Sequence, residues 1–83
     1  MKYLILSVHR TNNTYSIHED YLTDNNNPVI KIFDLIKDDI ECLNFLENQY
    51  WGLYELNGHT LTKVSYDKTL NYINEAKKLL LLL

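Results

Sequence analysis

The sequence has few of the residues from which catalytic and metal sites are usually built. Only one of its 83 residues is cysteine, Cys42, and only two are glycine, Gly52 and Gly58. One cysteine cannot form an internal disulfide framework, which favours a reducing compartment such as the cytoplasm. Two isolated glycines cannot build a glycine-rich phosphate loop, and the sequence has no Cys/His metal spacing or nucleophile elbow. We therefore expect a protein that is not an enzyme and that uses no cofactor or metal.

Long hydrophobic runs are also missing. The apolar stretch after Met1 stops at His9, which is too short for the core of a signal peptide and is typical of a strand. The leucine run 79–83 has five residues, whereas a bilayer span needs about 20. We expect no membrane contact.

Arginine is scarce, because Arg10 is the only one in the chain. Arginine is the side chain best suited to bidentate contacts with phosphate and guanine, so direct nucleic-acid binding is disfavoured. The net charge is −3, and acidic residues are concentrated between positions 19 and 55, where only Lys31 and Lys37 are basic. The middle of the chain is therefore an acidic band.

The length predicts one domain, residues 1–83, because a chain this short buries only about 60 to 65% of its unfolded surface. Two β-hairpins are indicated. Residues 3–18 form the first, with Asn12-Asn13 as its turn, and Tyr50 to Tyr66 form the second, with Asn57-Gly58 as its turn. In the first hairpin, the residues expected in the core are Leu4, Leu6, Val8, Tyr15 and Ile17.

One helix is predicted after each hairpin. Asn27-Pro28 is typical of a helix start, and Asp67 is expected to cap the last helix. The buried side of the first helix is predicted to contain Val29, Ile32, Phe33, Ile36, Ile40, Leu43 and Leu46. The fold class predicted is α+β: a four-stranded, mostly antiparallel sheet in ββαββα order, with two helices packed on one face.

Three groups of residues are candidates for function. The first is His9 and His18, which the hairpin register places as diagonal neighbours on one sheet face. Two imidazoles at that spacing could bind a metal or a small ligand, or act as acid and base. The simpler interpretation is a solvated polar face. We keep a ligand-binding protein or hydrolase at this face as the alternative function.

The second group is a stripe on the outer side of the first helix. Asp34, Asp38 and Glu41 follow at helical spacing, and Phe45 lies one turn later. An exposed aromatic ring among carboxylates is typical of a binding anchor, because aromatic residues dominate interface energies and charge speeds association. The competing interpretation ends the helix near Leu43 and turns Phe45 into the core.

The third group is Leu81, Leu82 and Leu83, of which the first two fall on the polar side of the last helix. Exposed leucines are costly in water, so we expect them to be covered. Either they fold over this domain, or they form a homodimer or partner contact.

In size, acidity and the asparagine- and lysine-rich composition of a low-GC genome, the chain resembles small phage proteins, including anti-CRISPR inhibitors. The resemblance implies an anti-defence inhibitor. The function we expect is therefore that of a small acidic interaction protein, an inhibitor or regulator. Its partner would be a protein, with a nucleic-acid-binding enzyme as one candidate.

Overall fold

The computed structural model describes residues 2–11, 14–23 and 27–83, and it describes side chains for residues 2–7 and 27–83. The elements are β1 (Lys2–Thr11), β2 (Thr14–Thr23), α1 (Pro28–Asp38), α2 (Glu41–Glu47), β3 (Trp51–Asn57), β4 (Thr60–Lys63) and α3 (Tyr66–Leu81). In the sheet the strands follow the order β2-β1-β3-β4, and every pairing is antiparallel.

The first hairpin has the predicted register near its turn. Thr11 pairs with Thr14 and Val8 pairs with Ile17, whereas Asn12 and Asn13 themselves lie outside the described residues. The register shifts between Ser7 and Val8, so Ser7 pairs with Glu19 instead of His18, the residue that an unbroken register from the Asn12-Asn13 turn would place opposite it. Strand β2 also continues to Thr23, five residues beyond the predicted end of the hairpin at residue 18.

The predicted core face of β1 is wrong. Tyr3 and Ile5 belong to the main core, and Ile5 pairs there with Leu53 of β3. Leu4 is only half-buried, and Leu6 is buried but lies outside that core. Side chains of one strand alternate between the two faces, so Leu4 and Leu6 lie on the face away from the helices. The predicted core residues Val8, Tyr15 and Ile17 lie outside the described side chains.

Leu6 faces Gly52 of β3 on this outer face. A Cβ atom added to Gly52 would lie 3.0 Å from Cε2 of Tyr54, so the tyrosine ring lies closely against the glycine backbone. A large ring over a strand glycine compensates for the missing side chain. The outer face is therefore partly apolar.

The second hairpin has a different turn from the one predicted. Asn57 pairs with Thr60, so the two central turn residues are Gly58 and His59. Gly58 has φ +62°, which fits a type II′ turn with glycine in its first central position. Leu56 therefore faces Leu61 instead of His59.

The predicted first helix is in fact two helices. The Asn27 side chain accepts a hydrogen bond from the Val29 amide at 3.0 Å, which confirms the predicted start. The helix ends at Asp38 because Asp39 has an extended backbone, with φ −148° and ψ 105°. The Asp39 carboxylate then accepts a hydrogen bond from the Glu41 amide at 3.0 Å, which stabilises the first turn of α2. As a result Ile40, predicted to be buried, is 56% exposed.

The N-cap of the last helix lies two residues before the predicted one. The Ser65 hydroxyl accepts a hydrogen bond from the Lys68 amide at 3.3 Å, so Ser65 is the N-cap and Asp67 lies in the first turn. Ile73 and Ala76 are fully buried, and Thr69 is buried at the start of the same side.

One core joins the sheet face to all three helices. Its members are Tyr3, Ile5, Val29, Ile32, Ile36, Cys42, Leu46, Trp51, Leu53, Val64, Ile73 and Ala76. The α+β class and the antiparallel sheet are thus confirmed, but the predicted ββαββα order is not, because the described chain has three helices. Within the described residues, no helix combines the length and the apolar character needed to cross a membrane.

Candidate functional site

Three aromatic side chains meet where α2 ends and β3 begins, and we call Phe45, Tyr50 and Trp51 the aromatic corner. The Phe45 ring stacks on Trp51 with centroids 4.9 Å apart and planes 21° apart. Phe45 and Tyr50 meet edge to face, with centroids 6.4 Å apart and planes at 74°. Trp51 is 8% exposed, Phe45 39% and Tyr50 69%. The corner therefore has a buried base and an open surface.

The backbone between α2 and β3 brings these rings together. Asn48 and Gln49 donate backbone hydrogen bonds to Asn44 and Leu46, at 3.0 and 3.2 Å, and so close the last turn of α2. Gln49 then adopts φ +62°, the left-handed conformation that commonly ends a helix. This reversal directs the chain into β3 and places Tyr50 and Trp51 beside the helix that carries Phe45.

Helix α3 fixes the end of α2 from the other side. The Tyr66 hydroxyl donates a hydrogen bond to the Glu47 carbonyl oxygen at 3.0 Å. The Glu47 carboxylate also lies 3.5 Å from the Lys77 ammonium group. The ion pair is partly solvated and contributes little by itself. Together with the buried Leu46, these contacts give the aromatic corner a fixed support.

The predicted acidic stripe is divided between the two helices. Asp34 and Asp38 are on α1, whereas Glu41 and Phe45 are on α2, one turn apart. Asp34 lies 3.8 Å from the Lys37 ammonium group. Asp38 and Glu41 are exposed, and the described residues place no cation within ion-pair distance of either carboxylate. The structure thus retains Glu41 beside Phe45 but does not align all four residues along one helix.

Sequence reasoning missed Tyr50 as part of this surface and Ile40 as an exposed residue. The sequence places Tyr50 only in the second hairpin, although an aromatic pair directly follows the predicted helix that carries Phe45. The sequence predicts Ile40 in the core because its spacing continues that of Ile32 and Ile36. The break at Asp39 carries no glycine or proline, so the strongest helix-ending signals are absent.

A recess beneath the corner is too small for a ligand. It has a volume of about 20 Å³, and its walls include Leu46, Gln49, Trp51 and Tyr66. One water needs roughly 10 to 15 Å³, whereas sites for drug-sized ligands have roughly 300 to 1,000 Å³. A larger space of about 320 Å³ lies near Lys2 and the β3–β4 turn, but it is an open cleft lined by four residues. Neither shape resembles an enclosed small-molecule site.

The pair His9 and His18 is the other group that the sequence suggests for chemistry. The His9 and His18 side chains lie outside the described part of the structure, so the alternative at that face stays a prediction. Among the described residues, no three histidine, cysteine or acidic side chains are grouped so that they could hold a metal ion. Cys42 is buried in the core, in agreement with a packing role.

The leucines at the end of α3 are exposed. Leu81, Leu82 and Leu83 have exposures of 84, 81 and 81%, so no described residue covers them. The expectation that they fold over this domain is therefore wrong. A homodimer or partner contact at these residues stays a prediction.

No protein-family model, curated protein or solved structure gives a significant match to this chain. The function must therefore be inferred from the geometry and chemistry of its own surface.

Proposed function

We propose that this chain is a small, non-catalytic interaction protein that binds a partner protein through the aromatic corner and the carboxylates next to it. The proposal is supported by the two exposed rings at this site, those of Phe45 and Tyr50. Phe45 is held against a buried tryptophan yet is 39% exposed, and Tyr50 is 69% exposed beside it. Large aromatic side chains in water, supported from below, are typical of interface anchors.

The stack lowers the cost of binding at this site. A side chain that is loose in the free protein loses rotamer freedom in a complex, at about 0.5 to 1.5 kcal/mol. Phe45 already has one ring face fixed against Trp51, and the supporting helix end is tied to α3 by Tyr66. More of the contact energy therefore appears as affinity.

Further exposed apolar surface lies at the junction of α1 and α2. Ile40 is 56% exposed there, between the last residues of α1 and the start of the helix that carries Phe45. Exposed carboxylates of Asp38 and Glu41 lie on the same two helices. An apolar centre with a charged rim is the usual anatomy of a protein interface.

The compositional resemblance to phage inhibitors suggests the biological setting. We propose a cytoplasmic inhibitor or regulator, of which an anti-defence protein is the leading example and a nucleic-acid-binding enzyme a candidate target. The acidic surface supports this choice, because carboxylates are complementary to the basic surfaces of such enzymes.

Capture from the lysate of the native host tests the proposal. The test variant is the double substitution Phe45→Ala with Asp38→Lys. The matched control is Leu61→Ala with Glu75→Lys, which removes an exposed apolar side chain from β4 and reverses an exposed charge on α3. Wild type and control should retain the same partner, and the test variant should lose it while its circular dichroism is unchanged. Equal capture by all three proteins would refute this site.

The exposed leucines favour a second candidate, a structural homo-oligomer held through Leu81 to Leu83. Burying three leucine side chains between two copies would remove apolar surface from water at about 25 cal/mol per Å². Light scattering separates the two candidates. If the candidate is right, deletion of residues 81–83 converts a dimer into a monomer, and a monomeric mass for the full chain would exclude it.

A further inference from the structure

The chemistry of the partner can be inferred from the charges that surround the aromatic corner. Between residues 38 and 62 the chain has five acidic residues and no lysine or arginine. This segment contains all of α2, the aromatic corner and β3. The segment itself therefore adds only negative formal charge to this surface. Three lysines of β4 and α3 lie against other parts of the segment: Lys63 at the recess, Lys68 at Glu55 and Lys77 at Glu47.

Two of these carboxylates are available to a partner. Asp39 is engaged with the Glu41 amide, Glu47 is paired with Lys77, and Glu55 is paired with Lys68. Asp38 and Glu41 are exposed, and no lysine, arginine or histidine of the described chain lies within 4.0 Å of their carboxylate oxygens. Glu41 is also one helical turn from Phe45, on the same helix. A cationic group at the ring can thus reach a carboxylate as well.

The Phe45 and Tyr50 rings are themselves able to bind a cation. Aromatic faces carry negative electrostatic potential, and a cation within about 6 Å of the ring centre is attracted to it. The chain already shows this contact elsewhere, because the Lys37 ammonium group lies 5.6 Å from the centre of the Phe33 ring. Tyr50 is 69% exposed, so its ring is open to a partner group.

We propose that the aromatic corner binds an arginine side chain in a basic segment of the partner protein. The guanidinium group would lie against the Tyr50 and Phe45 rings and donate hydrogen bonds to Glu41. This assignment rests on the function proposed above. Arginine is preferred to lysine because its planar group can stack on a ring and bond a carboxylate in bidentate fashion at once.

Other classes of occupant fit less well. Nucleic-acid phosphates and anionic lipid headgroups would both be repelled by the carboxylates of this segment. A purely apolar partner would bury Phe45 and Tyr50 but would offer no positive charge to the nearby carboxylates.

The single tryptophan of the chain supplies the measurement. Trp51 lies directly behind Phe45, so its emission and its indole N–H resonance report binding at the corner. The probes are three ten-residue peptides of alternating sequence, Arg-Gly, Lys-Gly and Glu-Gly, titrated at low salt. We expect a saturable change with the Arg-Gly peptide, about threefold weaker binding of the Lys-Gly peptide, and none with Glu-Gly.

Variants separate a specific site from general attraction to an acidic protein. Tyr50→Leu keeps an apolar side chain but removes the ring, and it should weaken binding of the Arg-Gly peptide about fivefold. Glu41→Lys should weaken binding of the same peptide about tenfold. Its matched control, Glu75→Lys, changes the net charge equally on α3 and should have at most about a twofold effect. Both substituted side chains are exposed, so the fold should be retained.

Several outcomes would overturn the inference. Absence of binding up to about 5 mM peptide would do so. So would equal binding of the Arg-Gly and Lys-Gly peptides, or equal effects of Glu41→Lys and Glu75→Lys. If partner capture still depended on Phe45 and Asp38 in any of these cases, the proposed function would stand, and only the arginine assignment would fail.

Discussion

The Phe45 ring lies flat against the Trp51 indole, with centroids 4.9 Å apart and planes 21° apart. The two residues belong to different elements, since Phe45 is on α2 and Trp51 opens β3. Trp51 contributes to the main core, whereas Phe45 remains substantially exposed. Phe45 therefore links the core to the surface that we propose binds a partner.

Removal of the Phe45 ring from its stack on Trp51 should lower the stability of the protein moderately. Phe45→Ala is expected to lower the free energy of unfolding by about 1 to 2 kcal/mol, because the aromatic pair contributes about 0.5 to 1.5 kcal/mol beyond the area it buries. It should also expose Trp51 and shift its emission to longer wavelength. Urea unfolding followed by circular dichroism measures the first effect, and an unchanged emission maximum would show that Phe45 does not cover the indole.

The junction between α1 and α2 depends on one of two adjacent aspartates. Asp39 accepts a hydrogen bond from the Glu41 amide at 3.0 Å, so Asp39→Ala should destabilise the protein by about 1 kcal/mol. Asp38→Ala is the matched control. It removes a negative charge from the C-terminal end of α1, where the helix dipole disfavours it, and should be neutral or slightly stabilising. Equal losses in urea unfolding would show that the hydrogen bond from the Glu41 amide to Asp39 does not stabilise the start of α2.

Gln49 occupies a conformation that favours glycine. Its φ is +62°, and a non-glycine residue in the left-handed region costs about 1 to 2 kcal/mol. Gln49→Gly should therefore stabilise the protein by up to about 1 kcal/mol. Asn48→Gly should not, because Asn48 has φ −90° and its side chain donates a hydrogen bond to the Asn44 carbonyl oxygen at 2.8 Å. Thermal unfolding of both variants distinguishes these effects.

Tyr3 gives the protein a sensitivity to alkaline pH. Burial raises the pKa of the Tyr3 hydroxyl above its ordinary value of 10.0, and neighbouring Tyr72 and Glu55 add to the shift. The folded state thus favours the neutral phenol. Its contribution to stability is complete below pH 10 and is lost as pH rises through the higher pKa of the folded protein.

The variant Tyr3→Phe cannot ionise at this position. From roughly pH 8 to pH 12, wild type should lose more unfolding free energy than Tyr3→Phe, with the difference at pH 7 as the reference. Parallel pH profiles for the two proteins would show that Tyr3 ionisation is not linked to folding.

The sequence predicted the local elements better than the faces they bury. In β1, four consecutive apolar residues from Tyr3 to Leu6 give no alternation, so both faces look equally suited to the core. The helices cover only one face, and Tyr3 and Ile5 are on it. That choice depends on contacts between distant parts of the chain, which no local pattern contains.

Turn chemistry explains why the register of the second hairpin differs from the predicted register. Asn57-Gly58 and Gly58-His59 can both form two-residue turns, because the first suits type I′ and the second suits type II′. The structure uses the second turn, which changes the register by two residues. A change of two preserves the faces, so Tyr54 and Leu56 stay together on the outer side although their partners differ.

The candidate site was predicted in part. Phe45 and Glu41 were identified from helical spacing and remain neighbours on α2. Tyr50 could not be placed beside them, because its position depends on the left-handed conformation of Gln49, and glutamine gives no sign of that conformation in a sequence.

In our proposal the aromatic corner binds the partner, and the outer face of the sheet does not. The most direct test of this proposal is the dissociation constant of the captured partner for two single variants, Tyr50→Ala at the corner and Leu61→Ala on the outer face of β4. Both side chains are exposed, at 69 and 43%. We predict at least about a tenfold loss of affinity for Tyr50→Ala and no change for Leu61→Ala. Loss of affinity for Leu61→Ala with none for Tyr50→Ala would show that the partner binds the outer face of the sheet instead.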